Sequence, residues 1–483
     1  MKKIQSIAEV HDGFDNKAFT PLELAQEYLG RIHASQLNAF LTVSEEKAIF
    51  QAKKATAELM KWGRVPREAQ PLFGIPFGLK DNLVTQGLRT TCGSRILENY
   101  VPPYSATVVE RVEKAGAVIL GKLNMDEFAM GSSNENSAFG PVQHPTHPGY
   151  VPGGSSGGSA SAVAAGLCVA ALGSDTGGSI RLPASFCGVT GVKPTYGRVS
   201  RYGLVAFASS LDQIGPLTNS VRDSATVLDV ISGADPMDST SIQGVSEKYV
   251  AGLSAPMDWS KVRIGIPKEY FVSGVQAEVA ASMQDAIKWF EKQGAQCVSV
   301  TLPHTSYAVS VYYVVAVSEA SSNLARFDGV RFGVRPEGLS SSQGDLLSFY
   351  KQVRTRFGDE VKRRILLGTF ALSSGYSDQY YQKACQVRRL IQQDFTAAFE
   401  KVDFILGPVA PTTAFKLGEK SQDPLQMYLN DIFTIPANLA GLPALSVPCG
   451  KDSAGLPIGL HLAGRLYSDS ELIRIADAFE RRA

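Results

Sequence analysis

The sequence lacks the features that would mark a nucleic-acid binder, a membrane protein or a disulfide-bonded scaffold. Its 47 Lys and Arg residues nearly balance 46 Asp and Glu residues, and a net charge of +1 leaves no surplus to neutralise a polyanion. The six cysteines include no CxxC pair. The longest apolar run, residues 162–172, is too short to cross a bilayer, and residues 4–12 are too polar for a signal peptide. We therefore expect a globular protein of the cytoplasm that makes no contact with a membrane.

Histidine is also scarce, with only six residues, and this limits metal binding and Ser–His chemistry. His144 and His147 lie in a proline-rich loop without a third ligand nearby, so a surface loop is favoured and no metal is expected. Residues 153–157 match the Gly-x-Ser-x-Gly nucleophile elbow, but the segment before them contains two prolines and is a poor strand. Only His304 and His461 follow as possible bases, so a Ser–His–Asp hydrolase is disfavoured.

Two further segments match known motifs in spacing, but the neighbouring residues do not fit the function of either motif. Residues 116–122 have the Gly-x4-Gly-Lys spacing of a phosphate-binding loop, but Leu123 stands where a magnesium-binding Ser or Thr is needed, and the intervening residues predict a strand. Residues 44–47 have the Ser-x-x-Lys spacing of penicillin-binding enzymes, yet Ser44 is better explained as the N-cap of a helix. Neither nucleotide binding nor that serine chemistry is expected.

The chain does contain an alternation of helical and strand patterns. Helices are predicted over residues 20–32, 44–62, 106–114, 277–292 and most of 346–399, and strands over 72–79, 117–120, 262–266, 296–302, 402–406 and 444–447. Residues 238–259 are more polar and predict a surface excursion. The alternation predicts an α/β fold.

Glycine is abundant, and much of the excess falls in one region. The 45 glycines are roughly 9% of the chain against a usual value of about 7%. Two Gly/Ser clusters, residues 153–159 and 173–179, flank the Ala-rich residues 160–172, which argues against a flexible linker. Glycines before Ser179 would let backbone amides from Thr176 onward turn inward and donate to a developing oxyanion.

A serine nucleophile needs a base, and Lys80 is a candidate. It follows an apolar strand, where burial would lower the pKa of its amine toward neutrality. Considered by itself, Lys80 is better explained as an exposed lysine at the end of a strand. The residue pattern alone leaves both interpretations open.

Three segments together closely resemble the amidase signature family. They are residues 74–81 (GIPFGLKD), 153–159 (GGSSGGS), and 175–181 (DTGGSIR) followed by 191–195 (GVKPT), and their order and spacing match. Within that family, residues 121–132, 196–204, 209–216 and 367–370 are similar to the glutamine-hydrolysing subunits of tRNA-dependent amidotransferases. The resemblance covers essentially the whole chain.

The resemblance implies a fold with a large mixed central sheet covered by helices on both faces. It implies a single domain over residues 1–483. Its parts are a helical N-terminus (1–65), a catalytic core (70–235), an α/β and helical substrate-side part (240–430) and a C-terminal return to the sheet (431–483).

The family's site residues can be transferred to matching positions. The resemblance implies Ser179 as the acyl-enzyme nucleophile, Ser155, after a cis peptide bond, as the bridging serine, and Lys80 as the base. It also implies oxyanion donors at Thr176, Gly177 and Gly178. For the glutamine α-carboxylate it implies Arg364, for the α-ammonium Asp431, and for a further pocket position Tyr312. Without the family, these three would be explained as a helix-surface charge, a helix cap and a core tyrosine.

The resemblance also implies partners. In a heterotrimer, a B subunit would bind the tRNA and use ATP and magnesium, a small C subunit would wrap the pair, and this chain would bind glutamine without a cofactor. The expected product is Gln-tRNA(Gln) from Glu-tRNA(Gln), with Asn-tRNA(Asn) from Asp-tRNA(Asn) as a further possibility. Two alternatives stay open: a stand-alone amidase of the same family acting on another amide, and an inactive scaffold subunit.

Overall fold

One mixed sheet of eleven strands runs through the part of the chain that the structure describes. The computed structural model describes residues 4–244, 247–271, 273–336 and 346–482. The strands are β1 Phe40–Val43, β2 Pro76–Lys80, β3 Val118–Leu123, β4 Ala170–Asp175, β5 Thr190–Lys193, β6 Gln213–Thr218, β7 Arg263–Pro267, β8 Gln296–Val300, β9 Phe404–Pro408, β10 Ala444–Lys451 and β11 Pro457–Gly464. Their order is β1-β3-β2-β4-β6-β5-β10-β11-β9-β7-β8. The predicted α/β fold with a large mixed sheet is confirmed.

Parallel pairing is confined to two groups of strands. β2 pairs in parallel with β3 and β4, and β7 pairs in parallel with β8 and β9. The remaining pairs are antiparallel, including the edge pair of β1 with β3, so an antiparallel centre lies between the two parallel groups. β2 and β4 lie side by side; β2 ends at Lys80, and β4 ends immediately before Thr176.

Helices pack against this sheet and against one another. They are α1 Ile7–Asp15, α2 Pro21–Ala34, α3 Glu45–Trp62, α4 Thr107–Lys114, α5 Gly157–Ala165, α6 Arg181–Cys187, α7 Val221–Ile231, α8 Tyr249–Gly252, α9 Ala277–Gln293, α10 Ala308–Asn323, α11 Leu346–Arg354, α12 Asp359–Ala371, α13 Lys383–Phe399, α14 Pro424–Tyr428, α15 Ile435–Leu439 and α16 Asp469–Glu480. α5 and α6 contact the central strands, whereas α10 packs mainly on α12 and α13. No described helix is both long and apolar enough to traverse a bilayer.

The start of α2 agrees with the sequence, and the start of α3 agrees only in part. Thr20 and Glu23 form a reciprocal capping box, and Pro21 occupies the first helical position. Ser44 does precede α3, but its hydroxyl donates to the Ile119 carbonyl of β3 (2.6 Å) and makes no cap hydrogen bond. The prediction that Ser44 is the N-cap residue is therefore confirmed, but its side chain is turned toward β3 and does not make the usual cap hydrogen bond.

Two apolar runs are divided by turns in the structure. The Ala-rich residues 160–172 contain the end of α5, which stops at residue 165, and the beginning of β4 at residue 170. The strand predicted over residues 72–79 begins only at residue 76. In both places an apolar run continues through a turn, which periodicity cannot separate from a continuous element.

Most of the segment with phosphate-loop spacing, residues 118–122, lies in β3, as its apolar residues predict. Lys122 is fully buried, with Nζ 3.2 Å from Asp81 Oδ1. It also donates to the Leu83 carbonyl (2.8 Å) and to Thr90 Oγ1 (2.7 Å). Its ammonium is thus occupied within the protein, and the rejection of a nucleotide site here is supported by the strand geometry.

Candidate active site

Lys80 lies at the end of β2 and is completely buried. Its Nζ is 2.8 Å from both Ser155 Oγ and Ser156 Oγ, and it also donates to the hydroxyl (3.0 Å) and carbonyl (3.2 Å) of Ser174. The interpretation of Lys80 as an exposed strand-end lysine is therefore wrong. The strand instead delivers the amine into a cluster of three serines.

Burial sets the protonation of this amine. Burial lowers the pKa of Lys80 to about 7, although carboxylates led by Asp126 and Asp175 favour the ammonium. Near neutral pH a large fraction of Lys80 is therefore uncharged and keeps its lone pair. A neutral amine 2.8 Å from a hydroxyl can accept that hydroxyl's proton.

Two of the serines around Lys80 were missed by the sequence reasoning. Ser156 follows Ser155, and its hydroxyl donates to the Ser174 carbonyl (3.2 Å). Ser174, in β4, also accepts a hydrogen bond from the Asn82 side chain (2.9 Å). The Gly/Ser clusters in which both residues lie were the available signal, but spacing does not tell which hydroxyl faces the amine.

Ser155 and Ser179 come from the two Gly/Ser clusters. The Gly154–Ser155 peptide bond is cis, and Ser155 is fully buried just before α5. Ser179 precedes α6 and keeps 8% of its surface exposed, so it is more accessible than Lys80 or Ser155. Its carbonyl accepts a hydrogen bond from the Ser156 amide (3.2 Å). Within the described residues its hydroxyl has no hydrogen-bond partner, which leaves it free to meet a substrate.

The backbone before Ser179 presents a row of unpaired donors. The N–H groups from Thr176 to Ser179 are buried and donate to no acceptor in the described parts of the chain. Buried N–H groups without partners are rare in folded proteins. Gly178 has a φ of 149°, and a Cβ there would lie 2.3 Å from Thr434 Oγ1, so a side chain is excluded. The loop can therefore donate several hydrogen bonds to one oxygen.

Polar residues behind this loop hold it in place. Asp175 forms a two-pronged ion pair with Arg181 (both contacts 3.0 Å) and accepts from Asn438 (2.8 Å). Arg181 also donates to His461 Nε2 (2.8 Å), and burial lowers the pKa of His461 well below its usual range. Thr176 donates its hydroxyl to Asp212 (2.7 Å). His461 is thus committed to Arg181 and is not the base of Ser179.

Tyr312 packs on the glycine loop, and Arg364 lies on the helix next to that of Tyr312. The Tyr312 ring, on α10, packs against Gly177, since a Cβ there would lie 2.8 Å from the ring. Arg364, on α12, is only 2% exposed, and its guanidinium lies 5.1 Å from the centre of the Tyr313 ring. It also pairs with Glu360 (2.8 Å). The interpretation of Arg364 as a helix-surface charge is therefore wrong.

Asp431 places an unpaired carboxylate oxygen at the same loop. One of its oxygens accepts a hydrogen bond from the Ser132 hydroxyl, and the other, Oδ1, is buried and has no hydrogen-bond partner among the described residues. A Cβ on Gly178 would lie 2.6 Å from Asp431 Oδ1. Burial raises the pKa of Asp431 to about 7. The carboxylate of Asp431 therefore lies at the glycine loop, and the Arg364 guanidinium is near enough to oppose, by its charge, part of the rise in the pKa of Asp431.

The other histidine candidates have ordinary structural contacts. His144 Nε2 lies 2.8 Å from the Phe186 carbonyl, and His147 Nε2 lies 3.1 Å from the Ala454 carbonyl. His304 Nδ1 pairs with Asp394 (2.8 Å) at the surface. In the described ranges, no group of three or more His, Cys, Asp or Glu side chains is arranged to hold a metal ion.

Comparison with known proteins identifies the family. The model of the Amidase family matches residues 23–473 of this chain. The chain belongs to this amidase family. The predicted family and its fold are therefore confirmed, and the Gly/Ser loop, Lys80 and the serines belong to an amidase.

Named relatives and solved structures show which proteins this amidase resembles. A relative from Halalkalibacterium halodurans is named as the A subunit of glutamyl-tRNA(Gln) amidotransferase, and it is 57% identical over 98% of this chain and 96% of its own length. The crystal structure of the protein of that name from Thermotoga maritima is 42% identical, with a TM-score of 0.79 over 100% of this chain and 95% of that one. The peptide amidase of Stenotrophomonas maltophilia is 29% identical, with a TM-score of 0.79 over 99% and 96% of the two chains.

Proposed function

We propose that this amidase hydrolyses glutamine and supplies the ammonia to a tRNA-dependent amidotransferase of which it is the A subunit. The observation that carries this proposal is that a buried cation, Arg364, lies within charge-interaction range of Asp431, a buried carboxylate whose Oδ1 has no partner among the described residues. Glutamine carries a carboxylate and an ammonium on its α-carbon, so its binding site needs one group of each charge. The names of the relatives at up to 57% identity support the same activity.

In the proposed reaction, Ser179 is the nucleophile and Lys80 is the base. Neutral Lys80 accepts the proton of Ser155, and Ser155 accepts the proton of Ser179 as Ser179 Oγ attacks the side-chain amide carbon. The N–H groups of Thr176, Gly177 and Gly178 hold the developing oxyanion. The C–N bond then breaks, the relay returns the proton to the leaving nitrogen, and ammonia departs.

The second half of the reaction regenerates the enzyme. Water attacks the glutamyl ester on Ser179, with Lys80 again accepting a proton through Ser155. The ester bond breaks, Ser179 regains its proton, and glutamate leaves. No cofactor of this chain takes part in either step.

The proposed role for Arg364, Asp431 and Tyr312 is to hold the substrate. Arg364 binds the α-carboxylate, Asp431 binds the α-ammonium through its free oxygen, and Tyr312 forms the wall next to Gly177. In this arrangement the side-chain amide reaches the donors of the glycine loop.

The remaining steps are assigned to partner subunits. A B subunit would bind the tRNA and activate its mischarged glutamate with ATP and magnesium, and a C subunit would complete the heterotrimer in the cytoplasm. The balanced charge of this chain supports leaving the tRNA to a partner. The test is conversion of Glu-tRNA(Gln) to Gln-tRNA(Gln) by the co-expressed subunits with glutamine and ATP. Failure of conversion together with full amidase activity of the isolated chain would contradict the proposal.

Replacing Arg364 with alanine distinguishes glutamine from other amides. We expect the KM for glutamine to rise at least about 30-fold, because a buried charge contact of this kind contributes roughly 2–5 kcal/mol. Hydrolysis of butyramide, which has no α-carboxylate, should change little. Ammonia release measured with both substrates checks this result. Arg363→Ala is the matched control, because Arg363 is the exposed neighbour on the same helix.

The alternative, a stand-alone amidase, predicts another outcome for the same variant. The peptide amidase neighbour shows that this fold occurs in amidases named for other substrates. Unchanged glutamine kinetics in Arg364→Ala, with efficient release of ammonia from a peptide amide, would favour that alternative.

The pH dependence should differ between charged and uncharged substrates. Burial lowers the pKa of Lys80 to about 7 and raises the pKa of Asp431 to about 7, and both groups act in their deprotonated forms. We therefore expect kcat/KM for glutamine to fall below pH 7 with a slope that approaches about two decades per pH unit, and that for butyramide with a slope of about one. Asp431→Asn should lower the glutamine slope to about one. Equal slopes for both substrates would contradict the role of Asp431.

A further inference from the structure

A carboxylate and three aromatic rings hold the guanidinium of Arg364. Glu360, one turn earlier on α12, accepts a hydrogen bond from Arg364 Nε (2.8 Å), and its side chain is only 10% exposed. The guanidinium carbon lies over the rings of Tyr313, Phe207 and Tyr428, at 5.1, 5.5 and 5.5 Å from their centres. The carboxylate and the rings together leave the guanidinium little freedom to turn.

The contact with Glu360 determines which edge of the guanidinium stays available. A guanidinium has five N–H donors, one on Nε and four on the two terminal nitrogens. Glu360 accepts from Nε, and the terminal nitrogens of Arg364 donate to no acceptor in the described parts of the chain. Buried donors normally have a partner, and one carboxylate can accept from both terminal nitrogens at once. The edge left free is therefore one that fits a carboxylate of the substrate.

The same oxygen of Glu360 links α12 to the segment that carries Asp431. Tyr428 donates its hydroxyl to Glu360 Oε1 (2.8 Å), which is also the oxygen that accepts from Arg364. Tyr428 ends α14, and a short helical turn, Leu429–Asp431, follows it directly. Two hydrogen bonds that share one oxygen therefore connect Arg364 with the element that carries Asp431.

The other oxygen of Glu360 contacts Arg363, and this contact is the weaker one. The side chain of Arg363 is 46% exposed, and ion pairs at exposed positions contribute little. Arg364 is buried, and a buried hydrogen bond to a charged group contributes more. Glu360 therefore acts mainly on Arg364.

We propose that Glu360 and Tyr428 are positioning residues, which fix the groups for the α-carboxylate and the α-ammonium of glutamine relative to each other. This inference rests on the proposed function, because that function gives those two roles to Arg364 and Asp431. Within the described residues, neither side chain hydrogen-bonds with a member of the proposed proton relay. The two residues therefore act on the affinity for glutamine and leave the chemical step unchanged.

Tyr428→Phe tests the link between the two elements. The variant loses the hydroxyl and keeps the ring, which stacks on Tyr313 with 3.9 Å between the ring centres. We expect the KM for glutamine to rise about five- to tenfold with kcat nearly unchanged, because a hydrogen bond to a charged group is lost. Hydrolysis of butyramide should not change. Steady-state ammonia release from both substrates measures this difference.

The matched control removes a tyrosine hydroxyl elsewhere. Tyr307 is 57% exposed, and its hydroxyl makes no hydrogen bond with a described residue. Tyr307→Phe should therefore leave the kinetics of both substrates unchanged.

Two variants of Glu360 test whether its carboxylate acts as an acceptor. The amide oxygen in Glu360→Gln can still accept from Arg364 and Tyr428, so the KM for glutamine should stay within about threefold of that of the unmodified enzyme. Glu360→Ala should raise this KM at least about tenfold. Combining Glu360→Ala with Tyr428→Phe should raise it no further, because Tyr428 acts through Glu360. Melting curves check folding, and Tyr428→Phe and Glu360→Gln decide the question if Glu360→Ala does not fold.

Three results would overturn the proposed positioning. They are an unchanged KM for glutamine in Tyr428→Phe, an equal loss with butyramide, and effects that multiply in the double variant. If Arg364→Ala itself leaves the KM for glutamine unchanged, the proposed function fails instead.

Discussion

Ser179→Ala is expected to lower kcat for ammonia release from glutamine by at least about 10⁴-fold, the largest effect of any single substitution in this site. The variant lacks the oxygen that would carry the acyl group, and no other hydroxyl takes the same position before α6. Binding of glutamine should persist, because Arg364 and Asp431 are unchanged. The measurement is steady-state ammonia release by the purified complex, with glutamine affinity measured separately.

Ser156→Ala is the matched comparison for the nucleophile. Ser156 lies as close to Lys80 as Ser155 does, but it donates to the Ser174 carbonyl in β4. We expect a loss well below that of Ser179→Ala. If Ser179→Ala retains more than about one hundredth of the activity, or if Ser156→Ala loses as much, Ser179 is not the nucleophile.

Lys80→Met should lower kcat/KM by about 10³-fold, remove the rise of butyramide hydrolysis through pH 7, and reduce the slope for glutamine from about two to about one, which Asp431 still contributes. Methionine fills a similar volume but offers no lone pair to accept the Ser155 proton. A lysine with an ordinary pKa is protonated at neutral pH and cannot accept a proton. The proposed mechanism therefore requires the lowered pKa of Lys80, about 7, which burial produces. A pH–rate profile of the variant and the unmodified enzyme measures both effects.

Lys193→Met is the control for Lys80→Met, because it also removes a buried lysine but lies away from the proposed nucleophile. Lys193 is equally buried, and burial lowers its pKa to about 7. Within the part of the chain that the structure describes, its Nζ donates only to the carbonyls of Pro194 and Leu442. Lys193→Met should lower the melting temperature and leave the pH dependence of the remaining activity in place. A pH profile that changes in Lys193→Met but not in Lys80→Met would show that Lys193, and not Lys80, is the group whose titration controls activity.

Local signals in the sequence predicted the regular elements with strong patterns. α2, α3, α9 and the strands near residues 262–302 follow clear apolar periods and helix ends. β6 was missed because its sequence, QIGPLT, places Gly215 and Pro216 inside a strand, where both residues are unfavourable. β6 is nevertheless paired on both sides, with β4 and β5, so tertiary pairing outweighs the local preference.

The sequence could predict only those site residues that belong to a recognised motif. The family pattern points to Lys80, Ser155 and Ser179, but it does not show that Lys80 contacts three serines or that Asp431 has a free oxygen beside Gly178. Those facts depend on contacts between residues far apart in the chain, such as the one between Asp431 and Ser132. Burial of Arg364 likewise depends on packing of α12 on α10, which the polar sequence around it hides.

The most direct test of the central claim is to find the acyl group on the enzyme. The complex is mixed with excess glutamine, quenched in acid during turnover, digested and analysed by mass spectrometry. The account predicts a glutamyl ester on the peptide that contains Ser179, absent from Ser179→Ala and removed by added hydroxylamine as glutamyl hydroxamate. A glutamyl adduct on another residue, or hydroxamate formation by Ser179→Ala at the rate of the unmodified enzyme, would contradict it.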